Sequence, residues 1–315
     1  MSALLERLGV ERPVVQAGMG GGISRHELAV GVSDAGGLGT IAAGNHDQLR
    51  IELAAARRLT GRPIAVNVLL PFARREWWPE AALADVVITF WGRPQRHVAC
   101  TWLHQCGSVD EAREAHAAGA DGVIVQGVEA GGHVRGTTPA LELLARARAA
   151  LGPDYPILLS GGIAERADVA AALEAGADAA VAGTRFLLSE ESHAHAAYRE
   201  RVLAADRTLL TTLFGAGWPN APHRVVPNAA TEAGPHRLTP LATRLTGIGA
   251  RHIPAAVQGR LLAAQRPGGV LLTPRPPTDD MPAGFVDSGA LYAGETALRI
   301  TDVRPAGELV AELTP

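Results

Sequence analysis

Lysine is absent from this chain of 315 residues, and all 29 of its basic residues are arginine. A lysine amine is required for Schiff-base catalysis and for the covalent anchoring of pyridoxal phosphate. The sequence therefore excludes both kinds of mechanism. A compositional bias is the simplest origin of this absence, and the exclusion holds whatever the origin.

Cysteine, long apolar runs and excess charge are also scarce. Cys100 and Cys106 are the only cysteines, and their position beside one predicted strand favours free thiols over a disulfide framework. No apolar run approaches the roughly 20 residues of a membrane span, and charges interrupt any signal-peptide core in residues 1–13. The net charge of −3 does not favour nucleic acid or an anionic membrane as a partner. We therefore expect a cytoplasmic protein that acts on small molecules.

Short apolar runs alternate with alanine-rich helical patterns up to about residue 205. Near-continuous apolar strands separated by helices are typical of a parallel sheet covered by helices. The glycine-rich stretch 17–22 lacks the acidic residue that a dinucleotide-binding first turn needs, so an open doubly wound sheet is disfavoured. Eight strands over this length predict a (β/α)8 TIM barrel. The predicted strands are 13–16, 38–41, 64–68, 86–89, 98–101, 123–125, 157–159 and 179–181.

The alternation is lost after residue 205. Residues 206–285 are rich in Pro, Gly, Thr and Arg, with helical signal only in patches such as 251–265. We interpret 206–285 as an inserted, largely helical or irregular segment that covers one end of the barrel. The barrel itself is predicted to comprise 1–205 and 286–315, closed by a helix near the end of the chain.

Glycine pairs follow the last two predicted strands, at the end of the barrel where TIM-barrel sites lie. The seventh strand ends in Ser160-Gly161-Gly162 and the eighth in Ala182-Gly183-Thr184. Backbone N–H groups approach a phosphate closely where no Cβ intervenes, and helix N-termini add partial positive charge. The two turns together predict a phosphate-bearing ligand, to which the Thr184 hydroxyl can donate.

Polar side chains at the other strand ends suit a flat heterocycle. Asn67 and Gln126 offer donors and acceptors for a flavin edge or its ribityl hydroxyls, although buried structural amides fit equally well. Met19, in the loop that begins at Ala17-Gly18, could lie against a ring face or simply fill the core. No histidine or acidic cluster has a convincing ligand spacing, and His193 and His195, two apart on a predicted helix, do not share a face. No metal site is predicted.

His133 follows the sixth strand in the sequence EAGGH. A single histidine on a loop is often a solvated or capping residue. Because His133 follows a strand end and a glycine pair, it is also a candidate catalytic base. A neutral imidazole there, with a pKa near the working pH, could remove a proton from a carbon next to an electron-withdrawing group. A nearby flavin would then accept electrons.

Five segments together resemble the nitronate monooxygenases. They are AGMGG at 17–21, VQGVEAGGHVRG at 125–136, SGGI at 160–163, AGTRFLLSEES at 182–192 and YAGE at 292–295. The resemblance implies a (β/α)8 barrel with noncovalent FMN, which oxidises alkyl nitronates with O2 to a carbonyl compound and nitrite. It makes His133 the catalytic base. With the glycine loops above, the predicted cofactor-binding residues are Ala17, Gly18, Met19, Asn67, Gln126, Gly131, Gly132, Gly161, Gly162, Val181, Ala182, Gly183 and Thr184.

The chain departs from the family pattern at three places. Gly18 stands where the family has proline before methionine, and Trp91 interrupts the segment TFWGRP at 89–94. Members of the family often have a lysine on the next strand. This chain has no lysine, and His104-Gln105-Cys106 occupies that neighbourhood. These changes bear on flavin tuning and on substrate preference.

Three other interpretations remain open at this stage. FMN-dependent enoyl-acyl-carrier-protein reductases also carry an EAGGH loop and a GTRF turn, and they use NAD(P)H. A flavin-binding barrel without turnover is a second alternative. A tailoring oxygenase that acts on a larger natural product is a third, for which Trp91 is the sequence signal.

Overall fold

The computed structural model describes residues 3–249 and 264–315 and contains a barrel of eight parallel strands. Neighbouring strands pair in the order β1-β9-β8-β6-β5-β4-β3-β2. The barrel closes between β1 and β2, where Leu38 N–H donates to Val14 and Leu38 O accepts from Gln16, both at 3.0 Å. The predicted TIM barrel is confirmed. Its strands are β1 Val14–Gln16, β2 Gly39–Ile41, β3 Ile64–Leu69, β4 Val86–Phe90, β5 Thr101–Cys106, β6 Gly122–Gln126, β8 Ile157–Ser160 and β9 Ala179–Ala182, with the short β7 Gly132–His133 lying between β6 and β8.

Helices cover the outside of the barrel and close its ends. The last helix packs against the second and the seventh, so the end of the chain returns to the barrel as predicted. The helices are α1 Ala3–Leu8, α2 His26–Asp34, α3 His46–Leu59, α4 Trp77–Ala81, α5 Val109–Ala117, α6 Ala140–Leu151, α7 Arg166–Glu174, α8 Thr184–Leu187, α9 Ala196–Leu203, α10 Ala229–Ala233, α11 Thr239–Gly249 and α12 Ala306–Leu313, with 3-10 turns at Ala283–Asp287 and Glu295–Leu298.

The buried residues form two concentric layers because side chains alternate along each strand. Leu103, Ile124 and Leu158 fill the inside of the barrel. Trp102, Val123 and Leu159, their neighbours in sequence, pack outward against the helices. This alternation decides which residue at each strand end faces the site.

The fifth strand lies three residues later than the sequence indicates. The prediction was 98–101, whereas β5 spans Thr101–Cys106 and pairs with β4 from Val86↔Thr101 to Phe90↔Gln105. The polar residues of TWLHQC concealed it, because a buried parallel strand usually reads as a continuous apolar run. The shift places Gln105, rather than Thr101, at the carboxyl end of the strand.

The segment after residue 205 contains two strands that the sequence did not reveal. Residues Leu209–Thr211 form β10 and His223–Val225 form β11, and these pair antiparallel with each other and with β7 in a three-stranded sheet. The sheet therefore ties this segment to the loop that carries His133. The helical patch predicted at 251–265 lies almost entirely outside the described residues.

Candidate active site

A cavity opens at the carboxyl ends of the barrel strands and encloses about 1300 Å³, part of it open to solvent. Ala182 alone among the predicted site residues does not line it. Its side chain faces the helices because Val181 faces inward, and its carbonyl accepts the Ala17 N–H at 2.9 Å. The predicted residues that line the cavity are Ala17, Gly18, Met19, Asn67, Gln126, Gly131, Gly132, His133, Gly161, Gly162, Val181, Gly183 and Thr184.

One side of the cavity is built from glycine turns. Gly161 and Gly162 have φ values of +104° and +78°, a conformation that favours glycine. A Cβ on Gly162 would meet no atom within 4 Å, so the backbone faces open space. A helix N-terminus was predicted directly after each glycine turn. The helix after Gly161-Gly162 begins only at Arg166, whereas a helix begins at Thr184, directly after Gly183. The Thr184 hydroxyl oxygen accepts the Gly294 N–H at 2.9 Å and keeps its own hydrogen for a ligand.

The two predicted amides hold the site together. Gln126 Nε2 donates to the carbonyl of His133 at 3.0 Å, and its Oε1 accepts the Arg135 N–H at 3.4 Å. Gln126 thus fixes the loop on both sides of the catalytic candidate. Asn67 makes one long bond to Ile88 O, at 3.5 Å, and packs against Gly18, where a Cβ would lie 2.4 Å from Asn67 Cβ.

His133 lies on β7, paired with His223 of β11, and not on a free loop. Its ring stacks on Trp218 with centroids 3.9 Å apart and an interplanar angle of 23°. Trp91 and Tyr292 approach the same ring at 5.9 and 5.5 Å. Nε2 of His133 is buried and has no hydrogen-bond partner among the described residues. A buried ring nitrogen without a partner is costly and calls for an explanation, of which a catalytic role is one.

The electrostatics of this pair keep both imidazoles neutral. His223 donates from Nδ1 to Ala221 O at 2.9 Å and accepts the Phe214 N–H at Nε2, and burial lowers its pKa to about 4. Burial, and then the neighbouring His223, lower the pKa of His133 well below its usual value of 6.5. The predicted pKa near the working pH is therefore wrong. The sequence could not reveal it, because residues 218, 223 and 292 exclude water from this ring.

Another part of the cavity lining is aromatic. Phe72, Phe90, Trp218 and Tyr292, which we call the aromatic wall, all line it. Trp218 lies edge to face with Phe72, at 5.1 Å. Sequence reasoning missed these four as site residues, although WPNAPHR at 218–224 and YAGE at 292–295 contain two of them.

Gln105 and Trp91 complete the neighbourhood. Gln105 lines the cavity, whereas His104 and Cys106 alternate away from it. The sequence prediction ended the fifth strand at residue 101, so the inward position of Gln105 was not predicted. Trp91 has a φ of +64°, unusual for a residue with a side chain, and its ring lies 5.1 Å from Trp218. Trp91 therefore supports the aromatic wall from behind.

Several other chemical groups lie outside the cavity. Cys100 and Cys106 are free thiols. His193 and His195 precede α9 and are not on a helix as predicted; His195 caps it. His26, Glu27 and Glu52 come close together, with His26 Nδ1 2.6 Å from Glu52 Oε2, and form a hydrogen-bonded cluster on α2 and α3. Among the described residues no helix is long and apolar enough to cross a membrane.

The fold and the cavity define a TIM barrel with a site at the carboxyl ends of its strands, and comparison with known proteins gives the family. The nitronate monooxygenase family model matches residues 1–88 and 84–315. The chain belongs to the nitronate monooxygenase family and is an enzyme. Members of this family are flavin-dependent in general.

Similar proteins do not all carry one activity. A nitronate monooxygenase of Pseudomonas aeruginosa is 33% identical over 292 residues, covering 72% of this chain and 82% of that protein. A (3aS,4S,5R,7aS)-5-hydroxy-7a-methyl-1-oxo-octahydro-1H-indene-4-carboxyl-CoA dehydrogenase of Mycobacterium tuberculosis is 32% identical, covering 71% and 65%. The family is therefore established, and the substrate has to be argued from the site.

Two solved structures have the same architecture. A nitroalkane oxidase from Streptomyces ansochromogenes has a TM-score of 0.76 and 31% identity, over 99% of this chain and 96% of that chain. FabK from Thermotoga maritima has a TM-score of 0.76 and 26% identity, over 99% and 94%.

Proposed function

We propose that this protein is an FMN-dependent enzyme that oxidises nitroalkanes or their nitronates with O2 to a carbonyl compound and nitrite. The observation that carries the proposal is that His133 lines the cavity and that its Nε2 is buried without a hydrogen-bond partner. Such a nitrogen, on a ring kept neutral, is suited to accept a proton from carbon. The similarity to a nitronate monooxygenase and to a nitroalkane oxidase supports the same chemistry.

The residues on the glycine side fit the phosphate of FMN. The open turn at Gly161-Gly162, the backbone of Gly183 and the free hydroxyl hydrogen of Thr184 offer donors without side-chain obstruction. Asn67 and Gln105 present amides on the cavity wall, where they would bond to the polar edge of the ring system. When bound, FMN would accept the substrate's electrons and provide their route to O2.

His133 would remove the α-proton of a nitroalkane. The C–H bond breaks, the proton moves to Nε2, and the electron pair stays on the substrate as a nitronate. The tautomer with hydrogen on Nδ1 leaves the Nε2 lone pair free for this step. Gln126 positions the base through its bond to the His133 carbonyl.

The segment 206–285 would cover the site and exclude water from it. Trp218, Pro274 and Pro276 contribute to the cavity wall from this segment. We propose that 1–205 and 286–315 form the catalytic barrel and that 206–285 is its substrate-covering insertion. A closed cover excludes water and protects reactive intermediates from side reactions.

The test measures nitrite release and O2 consumption with 1-nitropropane and with its nitronate. We expect turnover by the protein as purified. We expect His133→Gln to retain its flavin absorbance and lose activity by roughly 10²- to 10⁴-fold, the usual contribution of a general base. His46→Gln is the matched control, since His46 is 39% exposed at the start of α3, outside the cavity wall. Full activity in His133→Gln would contradict the proposal.

NADPH distinguishes the reductase alternative, which the likeness to FabK keeps in view. Anaerobic mixing with NADPH should bleach the flavin slowly if the enzyme is a nitronate oxidase. Rapid bleaching, together with no nitrite from either nitro compound, would favour a reductase.

A further inference from the structure

A group of ionisable side chains lies on the outside of the barrel, and none of its members lines the cavity. The group joins α2, α3, the loop before α9 and the end of the segment after residue 205. The proposed reaction uses none of these side chains. The contacts within the group are Glu52 to His26 at 2.6 Å, His26 to Glu27 at 3.3 Å, Glu27 to His193 at 3.0 Å and His193 to Asp279 at 2.7 Å.

The ligand atoms of His26, Glu27 and Glu52 converge. Nδ1 of the imidazole and one carboxylate oxygen of each glutamate all lie within 4.8 Å of one another. Ligand atoms at roughly 2.0–2.2 Å from a tetrahedral Zn²⁺ are about 3.3–3.6 Å apart, so small side-chain rotations admit an ion. Glu52 also accepts the His26 N–H at 3.0 Å, which holds its carboxylate in place. The Glu27 side chain is 41% exposed and gives an ion access from solvent.

His193 supplies the observation that points to a cation. Its Nδ1 lies 2.7 Å from Asp279 Oδ2 and its Nε2 lies 3.0 Å from Glu27 Oε2, so both ring nitrogens face carboxylates. A neutral imidazole carries only one hydrogen. With that hydrogen directed to Asp279, the Nε2 lone pair faces an acceptor oxygen, and a positive charge is needed between the two atoms. Either a metal ion or a second proton on the ring meets this requirement.

We propose that a divalent transition-metal ion, of which Zn²⁺ fits best, binds at this group. Its ligands are His26, Glu27, Glu52 and His193. Zn²⁺ accepts imidazole and carboxylate ligands in tetrahedral sites, whereas Mg²⁺ and Ca²⁺ prefer oxygen ligands alone. Asp279 orients His193 from behind, as a carboxylate commonly does for a histidine that binds a metal. The sequence predicted no metal site because only the fold brings residues 26, 52 and 193 together.

The ion would fasten the segment after residue 205 to the barrel, close to the cavity. The Asp279 N–H donates to His193 O at 3.1 Å, so the two chain segments are joined through their backbones as well as their side chains. Pro276 shortly precedes this contact and lines the cavity. An ion held by His193 therefore stabilises the piece of chain that carries part of the cavity wall.

Co²⁺ is the direct probe, because its visible absorption reports a tetrahedral site. The purified protein, with its flavin, is treated with EDTA in the dark, dialysed and titrated with CoCl2. We expect the absorption to saturate at about one equivalent of Co²⁺ per chain. Zn²⁺ should displace the Co²⁺, and the same concentration of Mg²⁺ should not. An absence of saturable absorption, as expected if His193 holds only a second proton, would overturn the proposal, and so would displacement by Mg²⁺.

Substitution of the ligands locates the ion. We expect Glu52→Gln and His193→Gln each to weaken Co²⁺ binding by at least about 100-fold, and Asp279→Asn by about 10- to 100-fold. His46→Gln is the matched control on α3, since it removes an exposed imidazole outside the group. His133→Gln removes the imidazole of the cavity. Both should bind Co²⁺ as the natural protein does, and undiminished binding in Glu52→Gln or His193→Gln would overturn the proposal.

Unfolding gives a measurement that is independent of the Co²⁺ spectrum. Because Zn²⁺ binds the folded protein, rising Zn²⁺ concentrations should raise the urea midpoint of the natural protein and leave that of His193→Gln unchanged. Urea denaturation without metal shows which variants fold. His193 and Asp279 lie outside helices and strands, so their variants keep the test decisive if Glu52→Gln does not fold. An equal effect of Zn²⁺ on the natural protein and on His193→Gln would contradict the proposal.

Discussion

The outer face of the barrel and the cavity at the carboxyl ends of its strands each bury a histidine, in very different surroundings. His104 faces outward from β5, where its Nδ1 lies 2.7 Å from Thr89 Oγ1, an oxygen that also accepts the Trp102 indole N–H at 2.8 Å. His133 lies at the cavity wall with Nε2 unpartnered. Burial depresses the pKa of both, that of His104 to about 4.

A depressed pKa therefore does not by itself identify a functional histidine. What separates the two rings is the fate of their nitrogen atoms and the space beside them. His104 belongs to a hydrogen-bonded network with Thr89 and Trp102 on two neighbouring strands, whereas His133 lines the cavity and its Nε2 has no partner.

Exchanging each histidine for glutamine should separate activity from stability. We expect His133→Gln to lower kcat by roughly 10²- to 10⁴-fold with little loss of stability. His104→Gln should retain kcat per folded molecule and lower the free energy of unfolding by about 1–3 kcal/mol, because the Thr89 and Trp102 network loses a buried partner. Steady-state nitrite release and urea denaturation measure the two effects. A large loss of kcat in His104→Gln alone would reverse the assignment.

Acid should destabilise both faces. The folded pKa values of His104 and His223 are about 4, below the ordinary value of 6.5, so the unfolded chain binds more protons between these limits. The free energy of unfolding should therefore fall as the pH drops from 6.5 to 4, by on the order of 3 kcal/mol for each histidine. Urea denaturation at pH 7.5, 6 and 5 checks this. The free energy of unfolding should fall more steeply with decreasing pH in the natural protein than in His104→Gln. Identical slopes in the two proteins would contradict the burial argument.

Gly131 should tolerate no side chain. A Cβ there would lie 2.3 Å from Gly294 N, so Gly131→Ala must push the His133 loop away from the 293–294 backbone. We expect about a tenfold loss of kcat/KM, as geometry at the base is displaced. Gly61→Ala is the control, because Gly61, like Gly131, has no positive φ, and no atom lies within 4 Å of its Cβ. Equal activity in the two variants would show that close packing at Gly131 is unimportant.

The smallest effects should come from two tryptophans, one beside each histidine. Trp102→Phe removes the indole donor to Thr89 and should lower the free energy of unfolding by about 1 kcal/mol with kinetics unchanged. Trp218→Phe keeps an aromatic ring beside His133 and should change KM by only about threefold, within the 0.5–1.5 kcal/mol of an aromatic contact. Thermal unfolding and KM measured on both variants check this. A changed KM in Trp102→Phe, together with an unchanged KM in Trp218→Phe, would contradict the comparison.

The sequence predicted the barrel and the glycine turns because both are encoded locally. Apolar runs mark strands, and Gly161-Gly162 and Gly183-Thr184 follow two of them directly. The fifth strand was displaced because its polar residues hide a buried strand, and Gln105 was missed with it. His133 was predicted as the catalytic base from its glycine loop and the family resemblance, and the structure places it at the cavity.

The surroundings of His133 could not be predicted in the same way. They depend on pairing between residues far apart in sequence, such as His133 with His223, and on Trp218 and Tyr292 reaching the same ring. Local pattern carries no signal for such contacts. The depressed pKa of His133 follows from them, so it too became apparent only from the structure.

Exchange of the α-protons of a nitroalkane tests the role of His133 most directly, because it does not depend on the later oxidation. 1-Nitropropane is incubated anaerobically with the protein in D2O, and the loss of its α-proton signal is followed by NMR. The natural protein and His104→Gln should accelerate this loss well above the buffer rate, and His133→Gln should not. Equal acceleration by the natural protein and by His133→Gln would contradict the assignment of His133 as the proton acceptor.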